Sequence, residues 1–113
     1  MKHLPKHLRP RWRYLAISLE SNPGASIDRR AFQRELWYAG QNLLGDPGSA
    51  DADLTVVRFR FDDGRGAAIV RVRHGMVTPA RAAIACIDAI DRQPLGVLVA
   101  GVSGTIRAAE SKF

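Results

Sequence analysis

Apolar residues recur at every second position in three stretches of the chain, and this period of two predicts three β-strands. The stretches are residues 12–19, 54–61 and 65–73. The second and third strands are joined by Asp62-Asp63-Gly64, a sequence typical of a tight hairpin turn. A fourth strand is predicted over 95–102, where a nearly continuous apolar run is typical of a buried strand.

Two further stretches have apolar residues at helical spacing. The first helix is predicted to begin at Ser26 or Asp28 as its N-cap and to end at Gly45, with a polar loop over 46–53. Its buried residues are predicted to be Phe32, Leu36, Ala39 and Leu43. The second helix is predicted to be capped by Thr78, with Pro79 at its first position, and to end at Gln93-Pro94. Its buried residues are predicted to be Ala80, Ile84, Ile87 and Ile90.

The resulting order is strand, helix, strand, strand, helix, strand. This βαββαβ order predicts an α+β sandwich of the ferredoxin-like or RNA-recognition-like class, in which an antiparallel sheet carries two helices on one face. A chain of 113 residues is long enough for one such domain. We expect a basic N-terminal arm over 1–12, an RNA-recognition-like α/β domain over 13–107 and a C-terminal tail over 108–113.

The charge of the chain adds an expected partner to this fold. Seventeen Lys and Arg against eleven Asp and Glu give a net charge of +6, and the pI of about 10.4 lies in the range of nucleic-acid-binding proteins. Fourteen of the cations are Arg, which holds phosphate bidentately and stacks on bases. No apolar run approaches the roughly 20 residues that cross a bilayer, and no secretion signal opens the chain. The sequence therefore predicts a cytoplasmic protein without membrane contact.

Two groups of basic residues are candidates for RNA binding. On the sheet face opposite the helices, the predicted alternation brings together Arg58, Arg60, Arg71 and Arg73. The strand that carries the last two resembles the octamer signature of RNA-recognition modules but lacks its aromatic residues, so we expect phosphate contact without base stacking there. Further candidates in the arm, at the start of the first strand and near the end of the chain are Lys2, Lys6, Arg9, Arg11, Arg13, Tyr14 and Arg107. The alternative is a solvated basic face and a solvated tail.

Residues with catalytic or metal-binding chemistry form no convincing cluster in the sequence. His3 and His7 flank Pro5, which disrupts a helical metal site, and His74 stands alone. Cys86 lies among alanines and isoleucines, where a buried and inert thiol is expected. We predict no catalytic residue, no bound cofactor and no metal site in the protein itself.

Apolar residues outside the two helical stripes predict a surface for a protein partner. In the first helix, Trp37 and Leu44 lie together on one flank, and the second helix presents Ala82, Ala85 and Ala89 away from its stripe. The alternative is that loops or the C-terminal segment cover these positions.

Several short motifs resemble the archaeal ribonuclease P protein component 2 family. They are Leu4-Pro5, Leu8-Arg9 and residues 13–16 near the start, residues 68–72 in the third strand, and residues 101–107 near the end. The resemblance implies a protein subunit of the ribonucleoprotein that removes the 5′ leader from precursor tRNA. It also implies that the RNA holds the Mg²⁺-dependent active site, and that the chain assembles with ribonuclease P RNA, ribonuclease P protein component 3 and other protein subunits.

Two other classes of function remain open at this point. A ribosomal protein, or another protein that scaffolds structured RNA, would share the charge but would not increase leader cleavage. A ferredoxin-like regulatory domain that binds a small metabolite would leave the excess of Arg unexplained.

Overall fold

The structure is a computed structural model that describes residues 11–113. The first ten residues of the predicted arm lie outside the described residues. In chain order, the described elements are β1 (Trp12–Glu20), α1 (Arg29–Ala52), β2 (Thr55–Asp62), β3 (Arg65–Arg73), α2 (Val77–Ala85), β4 (Ala89–Ile90), β5 (Gln93–Pro94), β6 (Gly96–Ser103) and α3 (Ile106–Glu110).

The four long strands form one antiparallel sheet in the order β2-β3-β1-β6. The predicted ferredoxin-like class is confirmed. Strand β1 alternates as predicted, so Leu15, Ile17 and Leu19 enter the main core together with Phe32 and Leu36 of α1. The turn between β2 and β3 is a two-residue loop in which both residues have positive φ, which matches the twist of a tight hairpin.

Helix α1 begins as predicted but extends past its predicted end. The Asp28 side chain accepts a hydrogen bond from the Ala31 N–H at 2.7 Å and so caps the helix. Gly45 interrupts the helix with a φ of 72°, and helical backbone resumes after it as far as Ala52. The predicted polar loop over 46–53 is therefore wrong. Pro47 is compatible with this second helical segment because it lies in its first turn, where no backbone N–H is needed.

Helix α2 is shorter than predicted and ends at Ala85. Met76 stands at its N-cap without a side-chain hydrogen bond, so Thr78 is not the cap. Residues 89–94 form a small hairpin, β4–β5, instead of the last turns of the helix. Ile87 and Ile90 are still buried, because a turn followed by a strand can direct apolar residues to the core as well as a helix can.

The shortening of α2 also corrects two burial predictions. Leu43 is 49% exposed, since the helical turns that would cover it are absent, whereas Leu44 packs against the core. Cys86 follows the last helical residue and is exposed rather than buried.

The alternation in β2 predicts that Val57 shares a face with Phe59 and Phe61 and that Val56 shares a face with Arg58 and Arg60, but a β-bulge exchanges the two valines. The register against β3 shifts between Val56 and Arg58, so Val56 enters the main core and Val57 lies on the opposite face of the sheet. An extra residue in one strand causes such an exchange locally and leaves the rest of the alternation intact.

Strand β6 lies at an edge of the sheet. Its apolar sequence predicted a strand buried on both faces, but Leu98 is 66% exposed. The run of apolar residues does not indicate how many neighbours a strand has.

The predicted tail over 108–113 is not a separate segment, because it contains most of helix α3. The Thr105 side chain caps this helix by accepting a hydrogen bond from the Ala108 N–H at 3.1 Å. Ala109 is fully buried against Ala16 and Ile69, on the sheet face opposite α1 and α2. None of the helices in residues 11–113 is long and apolar enough to cross a membrane.

Candidate nucleic-acid interface

The sheet face opposite α1 and α2, here called the outer face, combines a small apolar centre with basic surroundings. Helix α3 covers the centre, where Tyr14, Val57 and Ile106 pack around the buried residues. The four arginines predicted for this face lie in β2 and β3. Arg58 pairs with Glu110 at the end of α3, and Arg60 lies near Phe113, three residues further on. Arg71 and Arg73 lie in the second half of β3.

Arg71 and Arg73 share one aromatic ring, that of Trp12, and these three residues are here called the Trp12 cluster. The guanidinium carbon of Arg71 lies 3.9 Å from the centroid of the Trp12 ring, and that of Arg73 lies 5.4 Å from it. The sheet register produces this arrangement by placing Trp12 opposite Arg73. Cation–π contacts of this kind contribute about 0.5–2 kcal/mol each and hold the guanidinium group in place.

One polar atom of Arg71 is unpaired within the part of the chain that the structure describes. Its Nε is buried and has no hydrogen-bond partner among the described residues. A guanidinium group that stacks on a ring through its face keeps its N–H edges for other partners, and those edges match a phosphate group. The buried Nε is out of reach of an external group, so the charge that the Trp12 cluster offers to an anion lies on the remaining N–H groups of the half-buried Arg71 and on the exposed Arg73.

At the other end of the outer face, the arginines contact α3 and its C-terminal side. The Arg58 Nε lies 3.3 Å from the Glu110 Oε1, and both side chains are more than half exposed. An exposed ion pair of this kind contributes little to stability. The Arg60 guanidinium carbon lies 5.9 Å from the centroid of the Phe113 ring. Neither Glu110 nor Phe113 was among the predicted site residues, although Thr105 followed by Ile106 and Ala109 is a sequence pattern that could have indicated a capped helix.

The other predicted RNA-binding residues are distributed more widely. Arg13 is half-buried and lies on the face of β1 opposite to the outer face. Its guanidinium group donates a hydrogen bond to the Trp12 carbonyl at 3.0 Å. Arg11 is exposed at the start of the described chain, and Arg107 is exposed on α3. Lys2, Lys6 and Arg9 lie outside the described residues.

The predicted protein-docking residues lie on the helix side of the sheet. Trp37 is 54% exposed and packs edge to face on Tyr38, with ring centroids 5.3 Å apart. The prediction that Leu44 lies beside Trp37 on a free flank is wrong, because Leu44 packs against the core. Ala82 and Ala85 are exposed on α2, and Ala89 is exposed on β4 instead of on a helix.

A groove of about 210 Å³ runs between α1 and the segment that follows α2. Tyr38 and Leu43 line one side and Cys86 and Ala89 the other. The hydrophobic pattern predicted Leu43 in the core and therefore gave no indication of this groove. Within residues 11–113, no group of three or more His, Cys, Asp or Glu side chains could hold a metal ion.

An antiparallel sheet with two helices on one face defines a ferredoxin-like α+β domain, and here the other face of the sheet carries arginines. The model of the Rpp14/Pop5 family matches residues 13–113. Ribonuclease P protein component 2 of Natronomonas pharaonis is 64% identical over the whole chain, which covers 70% of that protein. The protein of the same name from Halorubrum lacusprofundi is 62% identical and 71% covered, and that from Methanosarcina mazei is 36% identical and 92% covered.

A solved structure has the same fold. A chain in the cryo-EM structure of yeast ribonuclease MRP superimposes with a TM-score of 0.62 and 21% identity, over 84% of this chain and 75% of that chain. The chain therefore belongs to the Rpp14/Pop5 family, and it is a protein subunit of ribonuclease P. This membership confirms the resemblance seen in the sequence and decides among the three classes of function considered there.

Proposed function

We propose that the chain binds ribonuclease P RNA through its outer face and holds another protein subunit on its helix side. In this arrangement the RNA binds the Mg²⁺ ions and removes the 5′ leader from precursor tRNA, while the protein binds no cofactor. The cytoplasmic location predicted from the sequence remains a prediction.

The Trp12 cluster is the observation that supports RNA binding most strongly. Two guanidinium groups on one ring repel each other. A phosphate group would offset the repulsion and accept hydrogen bonds from the N–H groups that remain accessible on Arg71 and Arg73. Contacts of this kind position a protein on folded RNA without reading the base sequence.

The groove and the exposed residues around it support protein docking. Trp37, Tyr38 and Leu43 are each about half exposed, and aromatic residues of this kind are enriched in protein interfaces. Small side chains at Ala82, Ala85 and Ala89 would allow another backbone to approach closely. We propose ribonuclease P protein component 3 as the partner here.

The salt dependence of RNA binding tests the role of the Trp12 cluster. Replacing both Arg71 and Arg73 by Gln should weaken binding to ribonuclease P RNA. The slope of log affinity against log salt should fall by about 0.7–0.9 for each phosphate that the variant no longer neutralises. The matched control replaces Arg30 and Arg81 by Gln, which removes the same charge from the exposed surfaces of α1 and α2. Equal changes of slope in both double variants would contradict a specific role for the outer face.

Reconstitution tests the function itself. Ribonuclease P RNA, the chain and protein component 3 are combined, and leader removal from precursor tRNA is measured. Addition of the chain should increase cleavage, and the Arg71/Arg73 double variant should increase it less than the Arg30/Arg81 control does. A chain that binds the RNA but leaves cleavage unchanged would contradict the proposal and favour an RNA scaffold of another kind.

A further inference from the structure

A cavity of about 420 Å³ opens on the outer face beside the end of α3, on the side where Arg58 and Arg60 lie. Its walls include Arg58, Arg60, Ala67, Ile69, Glu110 and Phe113. The volume lies within the range of about 300–1,000 Å³ that is typical of sites for small ligands. The Trp12 cluster contributes none of these residues, so the cavity is separate from the phosphate site proposed above.

The cavity exists because the sheet has small or aliphatic side chains where related folds have aromatic rings. Positions 67 and 69 are the third and fifth of the octamer that begins at Arg65, and RNA-recognition modules have aromatic residues at both. Ala67 occupies the first of these two positions, and Ile69 packs under α3 at the second. A methyl group fills less of this space than an aromatic ring would, and the cavity forms beside Ala67, which is itself only 5% exposed.

An aromatic ring reaches this space from another element. Phe113 follows α3, and its ring lies in the wall of the cavity, 5.9 Å from the guanidinium carbon of Arg60. Phe113 is 46% exposed, so one part of it contacts the protein and another remains available. A base needs a ring face on which to stack, and the element that supplies the ring is not important for this interaction.

The charged groups of the cavity complement the ring. Arg58 and Arg60 give positive charge at the rim, where the phosphates of a nucleotide would lie. The Glu110 carboxylate, 3.3 Å from the Arg58 Nε, is an acceptor for the amino group of a base. Adenine and cytosine carry such a group on the edge that a protein reads, whereas uracil has a carbonyl oxygen in its place.

We propose that the cavity binds one unpaired nucleotide of RNA, with its base on Phe113, its phosphate on Arg58 or Arg60, and its amino group on Glu110. The inference rests on the proposed function, since it takes RNA as the partner. A base within a duplex is already stacked and paired, so the ligand is a single-stranded segment or a bulged nucleotide. Uracil should bind more weakly than adenine or cytosine.

Binding of short RNAs by the full chain tests this inference. The probes are fluorescent oligoribonucleotides of about six A, C or U residues, a length within the usual site size of single-strand binders, and a blunt RNA duplex. Affinity is measured by anisotropy. Phe113→Ala should weaken binding of the A and C probes about tenfold, within the range that alanine substitution of a stacking residue produces. Duplex binding should stay unchanged, and Phe113→Trp should retain single-strand affinity.

A control variant and a variant of Glu110 complete the test. Leu98→Ala is the matched control, because it shortens an exposed apolar side chain on β6, away from the cavity. Its affinity for every probe should equal that of the wild-type chain. Glu110→Gln should reduce the preference for C over U. Circular dichroism melts verify that each variant is folded.

The outcomes distinguish this inference from the proposed function. If wild-type chain binds ribonuclease P RNA and Phe113→Ala leaves all probes unchanged, the nucleotide site is wrong while the role of the Trp12 cluster stands. Equal losses of affinity for the duplex and for the single-stranded probes would also contradict the nucleotide site. If wild-type chain binds none of these RNAs, ribonuclease P RNA included, the proposed function itself fails.

Discussion

At Gly66 the backbones of β2 and β3 come so close that no side chain fits between them. A Cβ at this position would overlap the Arg60 carbonyl oxygen and lie 2.7 Å from Cδ2 of Phe61. Backbone cannot move aside as the end of a long side chain can, so any larger residue must distort the hairpin. The hairpin carries four of the arginines discussed above, and its geometry therefore determines their positions.

Replacement of Gly66 by Ala should destabilise the chain by about 2 kcal/mol, as overpacking usually does. For a domain of this size the expected decrease in melting temperature is about 8 °C. Gly104→Ala is the control, because a Cβ at Gly104 would meet no atom within 4 Å. Thermal melts of both variants measure the difference, and equal melting temperatures would show that β2 and β3 separate easily.

At the scale of elements, the docking of α3 links stability to the outer face. The helix has only five residues, too few to be stable alone, so its contact with Ala16 and Ile69 through Ala109 must hold it. The ring of Phe113 and the carboxylate of Glu110 reach the cavity only while α3 is docked.

Ala109→Asp should release α3 from the sheet, because a buried and unpaired carboxylate costs several kcal/mol. Ala108→Asp is the control: Ala108 is exposed and lies in the first turn of α3, where a negative charge is favourable. We expect a lower melting temperature and faster amide hydrogen exchange in 106–113 for the first variant only. Unchanged exchange in the Ala109 variant would mean that the helix is held by other contacts.

At the scale of the whole molecule, the two proposed surfaces lie on opposite sides of one sheet. The outer face carries the Trp12 cluster and the cavity, and the groove lies on the helix side. A chain with this arrangement can contact RNA and a second protein at the same time without competition between them.

Replacing Ala85 and Ala89 by Glu tests the helix side. Both residues are exposed in the isolated chain, so its stability should change by no more than about 0.5 kcal/mol. Affinity for protein component 3, measured by calorimetry, should decrease at least tenfold, because the larger side chains block close approach and place charge in an interface. RNA binding should be unaffected. Full affinity for component 3 in a folded double variant would place the partner elsewhere.

The purified chain alone should not cleave precursor tRNA, with or without Mg²⁺. The reason is that no group of three or more His, Cys, Asp or Glu side chains within residues 11–113 could hold a metal ion. Cleavage that persists in the RNA-free chain after repeated purification would contradict the assignment of catalysis to the RNA.

Residues close together in the sequence determined the strands, turns and caps that form through local interactions. Strand β1 and the bounds of β3 agree with the alternation of apolar residues, since a strand that is buried on one face has apolar residues at every second position. The Asp63-Gly64 turn and the Asp28 cap also follow from the conformations that those side chains favour. The basic outer face was predictable for the same reason, because Arg71 and Arg73 must share a face of β3.

Tertiary structure decided which neighbour covers each apolar surface, and hydrophobic period carries no such information. The early end of α2 leaves Leu43 exposed, and the edge position of β6 leaves Leu98 exposed, although both residues have a core-like pattern. The bulge at Val57 depends on pairing with β3. The cavity likewise forms only because α3 returns across the sheet, so that Phe113 and Ala67, which are far apart in the chain, both line it. Long-range packing of this kind depends on the whole fold rather than on either segment.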